Sequence, residues 1–143
     1  MRSIDSLESL KQFATETAAD SGDRLLLLLD GPMGAGKTQF TKFFLEAIGS
    51  SDTVSPSFAI HNSYETARGD VHHFDLFRLE SADDLESTGF WDLFESDAWV
   101  VIEWAEKLNE FGLLSALPEA WPRLHLRFTV DPQTQSRQIE TES

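Results

Sequence analysis

Residues 24–49 limit the fold more than any other stretch. They read Arg-Leu-Leu-Leu-Leu-Leu-Asp, then Gly-Pro-Met-Gly-Ala-Gly-Lys-Thr, then a run in which Phe40, Phe43, Phe44 and Ile48 recur at helical spacing up to Gly49. An apolar run this short suits a strand covered on both faces, which is a property of parallel sheets. The strand leads directly into glycines and the glycines into a helix. The octapeptide Gly31–Thr38 fits G-x-x-x-x-G-K-[ST], a phosphate-binding loop, or P-loop. Gly34 and Gly36 admit backbone angles closed to residues with a Cβ, so the N–H groups can curl inward around an anion. Lys37 would set an ammonium against the β- and γ-phosphates, and the Thr38 hydroxyl would ligate a bridging Mg2+. The start of the following helix adds its positive end. The candidate nucleotide contacts are therefore Gly31, Met33, Gly34, Ala35, Gly36, Lys37, Thr38 and Gln39, with a nucleotide's phosphates and Mg2+ as the expected ligands.

Composition narrows the classes. A chain of 143 residues with 41% hydrophobic and 25% charged residues is an ordinary globular balance. Its length suits one domain over 1–143, leaving little room for an added substrate domain. The expected architecture is α/β: a single-domain P-loop NTPase fold with a mostly parallel central sheet, an antiparallel hairpin and flanking helices. Cysteine is absent, so disulfides and thiolate metal sites are excluded. The first residues lack the apolar core of a signal peptide, and Leu25–Leu29 is too short to span a bilayer, so a cytoplasmic, membrane-free protein is expected. A formal charge of −14 opposes nucleic-acid binding over most of the surface. The same acidity suits either a solvated surface or a cationic protein partner.

Ile4, Leu7, Leu10 and Phe13 at spacings of three predict an amphipathic helix over Ser3–Ala19. Ser50–Ser57 reads as a loop, followed by strands over Phe58–Glu65 and Val71–Leu79 joined by a turn at Ala67–Asp70. Ser81 is the expected N-cap of a short helix ending at Gly89, with another helical stretch over Trp91–Phe94. Ala98–Trp104 reads as a buried strand. Leu108–Pro122 is poorly patterned. Arg123–Val130 alternates as a half-buried strand with the character of an edge, and the polar tail from about residue 131 is expected to fray.

A P-loop needs a further acid for Mg2+ and a group that positions the attacking water or hydroxyl. Asp75 and Glu103 each end an apolar strand, on the side where ligands bind in open α/β sheets. Strand-end acids also cap neighbouring backbone, and spacing alone does not separate the two roles. His72 and His73 would point to opposite faces, a poor metal geometry that favours packing or hydrogen bonding. Trp104 is a core residue or a neighbour of the nucleotide. Ser55-Pro56-Ser57 is a plain turn or a switch-like loop reaching the γ-phosphate or Mg2+.

Taken in order, Gly-Ala-Gly-Lys-Thr, Ser-Pro-Ser-Phe at 55–58, Asn62-Ser63-Tyr64-Glu65, His73-Phe74-Asp75-Leu76-Phe77-Arg78-Leu79, Glu86–Gly89 and Ile102-Glu103-Trp104 resemble one family. It is the bacterial TsaE (YjeE) ATPases of tRNA threonylcarbamoyladenosine (t6A) biosynthesis, matched from about Arg24 to Lys107. The resemblance implies that Lys37 binds phosphate and Thr38 binds Mg2+. It makes Ser55–Phe58, including Ser57, a switch I-like loop, Asp75 the switch II or metal-shell acid, and Glu103 a Walker B-like or catalytic acid. Members hydrolyse ATP slowly and work with the TsaB and TsaD proteins, meeting tRNA only through that complex, and hydrolysis is thought to reset it. Pro32 stands where the family usually has an acid, and Ser57 and Phe77 replace the commoner Thr and Tyr. Ser57 keeps its hydroxyl.

Two other readings compete. A small-molecule kinase uses a similar loop, but the chain is short and shows no Arg-rich lid. A binding module locked by nucleotide, with incidental turnover, differs by surviving loss of hydrolysis. A GTPase is disfavoured because Asn-Lys-x-Asp does not occur. Arg78 is a candidate for an arginine acting in cis or for a solvent salt bridge.

Overall fold

A computed structural model describes residues 2–50 and 60–142. Leu25–Asp30 (β2) is buried at every position. Its leucines alternate between two cores: Leu25, Leu27 and Leu29 on one face of the sheet, Leu26 and Leu28 on the other. Burial on both faces is what an unbroken leucine run needs, and β2 is accordingly central.

The sheet is built on either side of that strand. Trp99–Glu103 (β5) and Arg123–Val130 (β6) flank β2, both parallel to it. Gly69–Asp75 (β4) runs parallel to β5, and His61–Thr66 (β3) closes that edge antiparallel to β4. On the other side Arg137–Glu142 (β7) pairs antiparallel with β6, and Arg2–Ile4 (β1) pairs antiparallel with β7. The order is β1-β7-β6-β2-β5-β4-β3, a mixed seven-stranded sheet with four parallel strands at its centre. Leu7–Ala19 (α1) and Lys37–Ile48 (α2) cover one face, where Phe40 and Phe44 join Leu27, Val101 and Phe128. The short helices Ala82–Glu86 (α3) and Glu106–Glu110 (α4), with a 3-10 helix over Phe90–Glu95, supply the other core through Leu85, Leu108 and Phe90. No helix among the described residues is long and apolar enough to cross a membrane.

Several boundaries differ from the sequence expectation. The first helix starts at Leu7, not Ser3, because Ser6 and Ser9 form a reciprocal capping box: each side chain accepts the other residue's backbone N–H. Ile4 is thereby released to β1 and buried there, while Leu7 is 60% exposed. The tail does not fray from residue 131: Asp131 Oδ1 accepts the N–H groups of Gln133 and Thr134, turning the chain so that β7 returns along β6. β6 is for that reason an interior strand and no edge. The strand expected to reach Leu79 stops at Asp75, whose Oδ1 accepts the Phe77 N–H and bends the backbone. Ser81 caps α3 as expected, accepting the Asp84 N–H. The poorly patterned 108–122 stretch contains the end of α4 and a 3-10 turn over Leu114–Ala116. Phe58 and Ala59, placed in a strand by pattern, lie outside the described residues.

Candidate functional site

The parallel centre sets the site, because β2, β4 and β5 all deliver their C-terminal ends to one edge of the sheet. β2 ends in Asp30 and passes into the glycine loop, β5 ends in Glu103, and β4 ends in Asp75, the direct partner of Glu103 in the ladder. α2 starts above them. Its N-cap is Gly36, with no side-chain cap, so the N–H groups of its first turn have no side chain competing for them. An uncapped helix start behind a glycine loop is a ready anion site.

A cleft of about 420 Å³ opens there. Of the sequence-predicted residues it gathers Met33, Gly34, Gly36, Lys37, Thr38, Gln39, Asp75, Glu103 and Trp104 on its walls. Gly31 lines an adjoining cavity with Asp30 and Glu106, and Ala35 is buried. Ser57 and the rest of the switch-like 55–58 loop lie outside the described residues.

Lys37 is buried, and its ammonium donates to the Gly31 carbonyl while lying 3.4 Å from the centroid of the Trp104 ring. Burial pushes its pKa below the usual 10.5, and Glu106, Glu103, Asp30 and Asp75 pull it back up. The Thr38 hydroxyl donates to Glu103 Oε1 at 2.9 Å. Glu103 is 2% exposed, and its other oxygen, Oε2, lies 2.5 Å from His73 Nε2. Trp104 adopts φ +60, uncommon for a bulky residue, and its ring also packs on Phe77 at 5.0 Å between centroids. That turn brings the strand-end indole over the P-loop lysine. The sequence left Trp104 between core and ligand neighbour, and the geometry places it on the cleft wall.

Sequence reasoning missed several groups. Arg137 and Leu7 line the cleft as well. Arg137 sits in the tail expected to fray, where Ile139 was the only apolar cue; Leu7 was assigned to a buried helical face. Asp30 is 4% exposed and ties three elements together, accepting the Glu106 N–H at 2.8 Å and bonding His125 Nε2. An aspartate ending a strand of leucines was the available signal. Glu106 has its pKa raised, first by burial and then by Asp30. His73 has the hydrogen-bonding role its sequence position favoured. No cluster of three or more His, Cys, Asp or Glu side chains among the described residues could hold a metal by itself. That donor set, a hydroxyl and two carboxylates, instead fits Mg2+, which commonly takes one or two carboxylates and completes its shell with phosphate and water.

The chain matches the family model described as threonylcarbamoyl adenosine biosynthesis protein TsaE over residues 4–139. A Haemophilus influenzae protein named tRNA threonylcarbamoyladenosine biosynthesis protein TsaE is 35% identical over 81% of this chain and 68% of its own length. A Bacillus subtilis protein of the same name is 36% identical over 72% of this chain and 65% of its own. Among solved structures, the crystal structure of Bacillus subtilis YdiB superposes with a TM-score of 0.70 at 27% identity, covering 98% of this chain and 82% of the other.

Proposed function

Because this chain belongs to the TsaE family, we propose that it is a slow P-loop ATPase serving t6A biosynthesis, binding ATP with Mg2+ and resetting a TsaB–TsaD complex between rounds. The observation that carries the reading is the Thr38–Glu103 hydrogen bond beside Lys37, at the uncapped start of α2. One arrangement combines an anion cradle, a buried cation and a pair made by the exposed Thr38 hydroxyl and the buried Glu103 carboxylate.

In this reading the N–H groups of Gly34 to Gln39 cradle the phosphates, and the Lys37 ammonium neutralises charge that develops on them. Mg2+, when bound, would polarise the phosphate oxygens, with Thr38, Glu103 and Asp75 as its holders. Asp75 and Glu103 orient the attacking water from the ends of neighbouring strands. Trp104 covers Lys37 and keeps bulk water from it. A cavity of about 340 Å³ between the β1–α1 turn and the β6–β7 turn shares Leu7 and Arg137 with the cleft, giving room for a base and ribose beyond the phosphates. With a charge of −14, the chain meets tRNA through its protein partners, not by itself.

The test is reconstitution: the purified chain, with and without ATP, added to TsaB, TsaD, tRNA and threonylcarbamoyl-AMP, with modified tRNA counted over many turnovers. ATP-dependent stimulation by the wild type and none by Lys37→Ala is the expected result. Full stimulation by a Glu103→Gln variant that binds ATP but hydrolyses it far more slowly than the wild type would replace the ATPase reading with that of a nucleotide-locked binding module. No stimulation by the wild type would return a small-molecule kinase to first place.

A further inference from the structure

The P-loop chemistry does not itself require a buried histidine, yet one touches its acid. His73 is 3% exposed and sits in the interior of β4, two residues before Asp75. Strand alternation puts the two side chains on one face of the sheet, and Asp75 lies beside Glu103 in the parallel ladder. Glu103 is thereby held at both oxygens by two different elements: Oε2 by His73 Nε2 at 2.5 Å from β4, and Oε1 by the Thr38 hydroxyl at 2.9 Å from α2.

We propose that His73 is a positioning residue that holds the Glu103 carboxylate in its working orientation; the proposal rests on the ATPase reading above. With its hydrogen on Nε2, the His73 ring donates to Oε2. The Thr38 hydroxyl can donate its proton to Oε1 and still offer oxygen lone pairs to a cation, so this bond alone leaves the carboxylate free to pivot about Oε1. The imidazole removes that freedom. A group that must place water or a cation to within a fraction of an ångström loses rate when its orientation is left open. His73 touches no reacting atom and acts through Glu103.

Four variants and one spectrum test it. His73→Leu roughly keeps volume and removes the donor, and loss of a carboxylate-anchoring partner of this kind is expected to cost about 10- to 100-fold in kcat. KM for ATP and affinity for ADP without Mg2+ should stay within about threefold of wild type, because the phosphate cradle is untouched. His73→Gln restores an N–H donor near Nε2 and should recover most of the rate. In a Glu103→Gln background, adding His73→Leu should cost less than about twofold more, since the two residues act as one unit. In the nucleotide-free protein, the proton spectrum should show a far-downfield ring N–H that moves or disappears in Glu103→Gln.

A folded His73→Leu protein with wild-type kcat, or a ring N–H unaffected by Glu103→Gln, overturns the assignment while the ATPase reading stands. Loss of ATP affinity in parallel with kcat also overturns it, because the residue would then be supporting the cradle. If His73→Leu does not fold, His73→Gln and the ring resonance decide. A wild type with no ATPase activity, alone or with its partners, removes the underlying reading and this assignment with it.

Discussion

Gly31→Ala tests how the P-loop is seated on the sheet. Gly31 has φ +140, and an added Cβ would lie 2.5 Å from the Phe128 carbonyl oxygen and 2.9 Å from Phe128 Cβ. Phe128 cannot yield: it is 2% exposed, lies in the interior of β6, and packs edge-on against Phe40 with 5.8 Å between ring centroids. Overpacking of this kind costs about 1–3 kcal/mol. A non-glycine residue in so sparsely populated a backbone region adds roughly another 1–3 kcal/mol. The combined loss is about 2–6 kcal/mol, a large share of the roughly 5–15 kcal/mol that stabilises an ordinary domain. At about 3–5 °C per kcal/mol for a chain of this size, the melting midpoint should fall by roughly 6–30 °C. Gly34→Ala is the control. Gly34 has φ +82 and nothing within 4 Å of the added carbon, so only the backbone term applies. Thermal melts of both variants without nucleotide, followed by circular dichroism, make the comparison. A Gly31→Ala midpoint no lower than that of Gly34→Ala would refute the packing of the loop on Phe128.

Further predictions concern stability. His61 stacks on Phe74 at 4.4 Å and bonds His72 at 3.2 Å; burial lowers both pKa values from 6.5, with His72 and His73 adding to the effect at His61 and Asp70 opposing it at His72. The unfolded chain therefore takes up protons first, so stability should fall as pH drops below 6.5 toward the lowered folded values, and urea midpoints should show a shallower fall in His61→Gln/His72→Gln. Arg68 donates to the Ala18 and Gly22 carbonyls at 2.8 and 3.0 Å, capping an α1 that has no basic residue in its last turn. Arg68→Ala should lower stability by about 1–3 kcal/mol in urea titrations, and an unchanged midpoint would count against the cap.

The central strand, the loop, the helix after it and the two strand-end acids were legible because each carries a local signal: an apolar run, a glycine pattern, a helical period. The sheet's far side was not. β7 has one buried apolar residue, Ile139, and owes its place to pairing with β6 and β1, which no local pattern encodes. Leu7 illustrates the same limit, since its spacing fits the helical stripe and only the Ser6–Ser9 box reveals where that helix begins. At the site, the sequence named Lys37, Thr38, Asp75 and Glu103 but not Arg137, whose place depends on strand order, nor Asp30, whose position at the end of the leucine run was a local signal. The His73–Glu103 bond joins residues thirty positions apart and follows from β4 lying next to β5.

The most direct measurement is calorimetric titration of Mg2+–ATP into the nucleotide-free wild type and into Lys37→Ala. The wild type should bind at one saturable site. Loss of a buried ammonium that makes charge-assisted bonds to phosphate should weaken binding by about 1.5–3 kcal/mol, roughly 10- to 150-fold. Equal affinity in the two proteins, or no binding by the wild type, would contradict the assignment of this cleft as a nucleotide site.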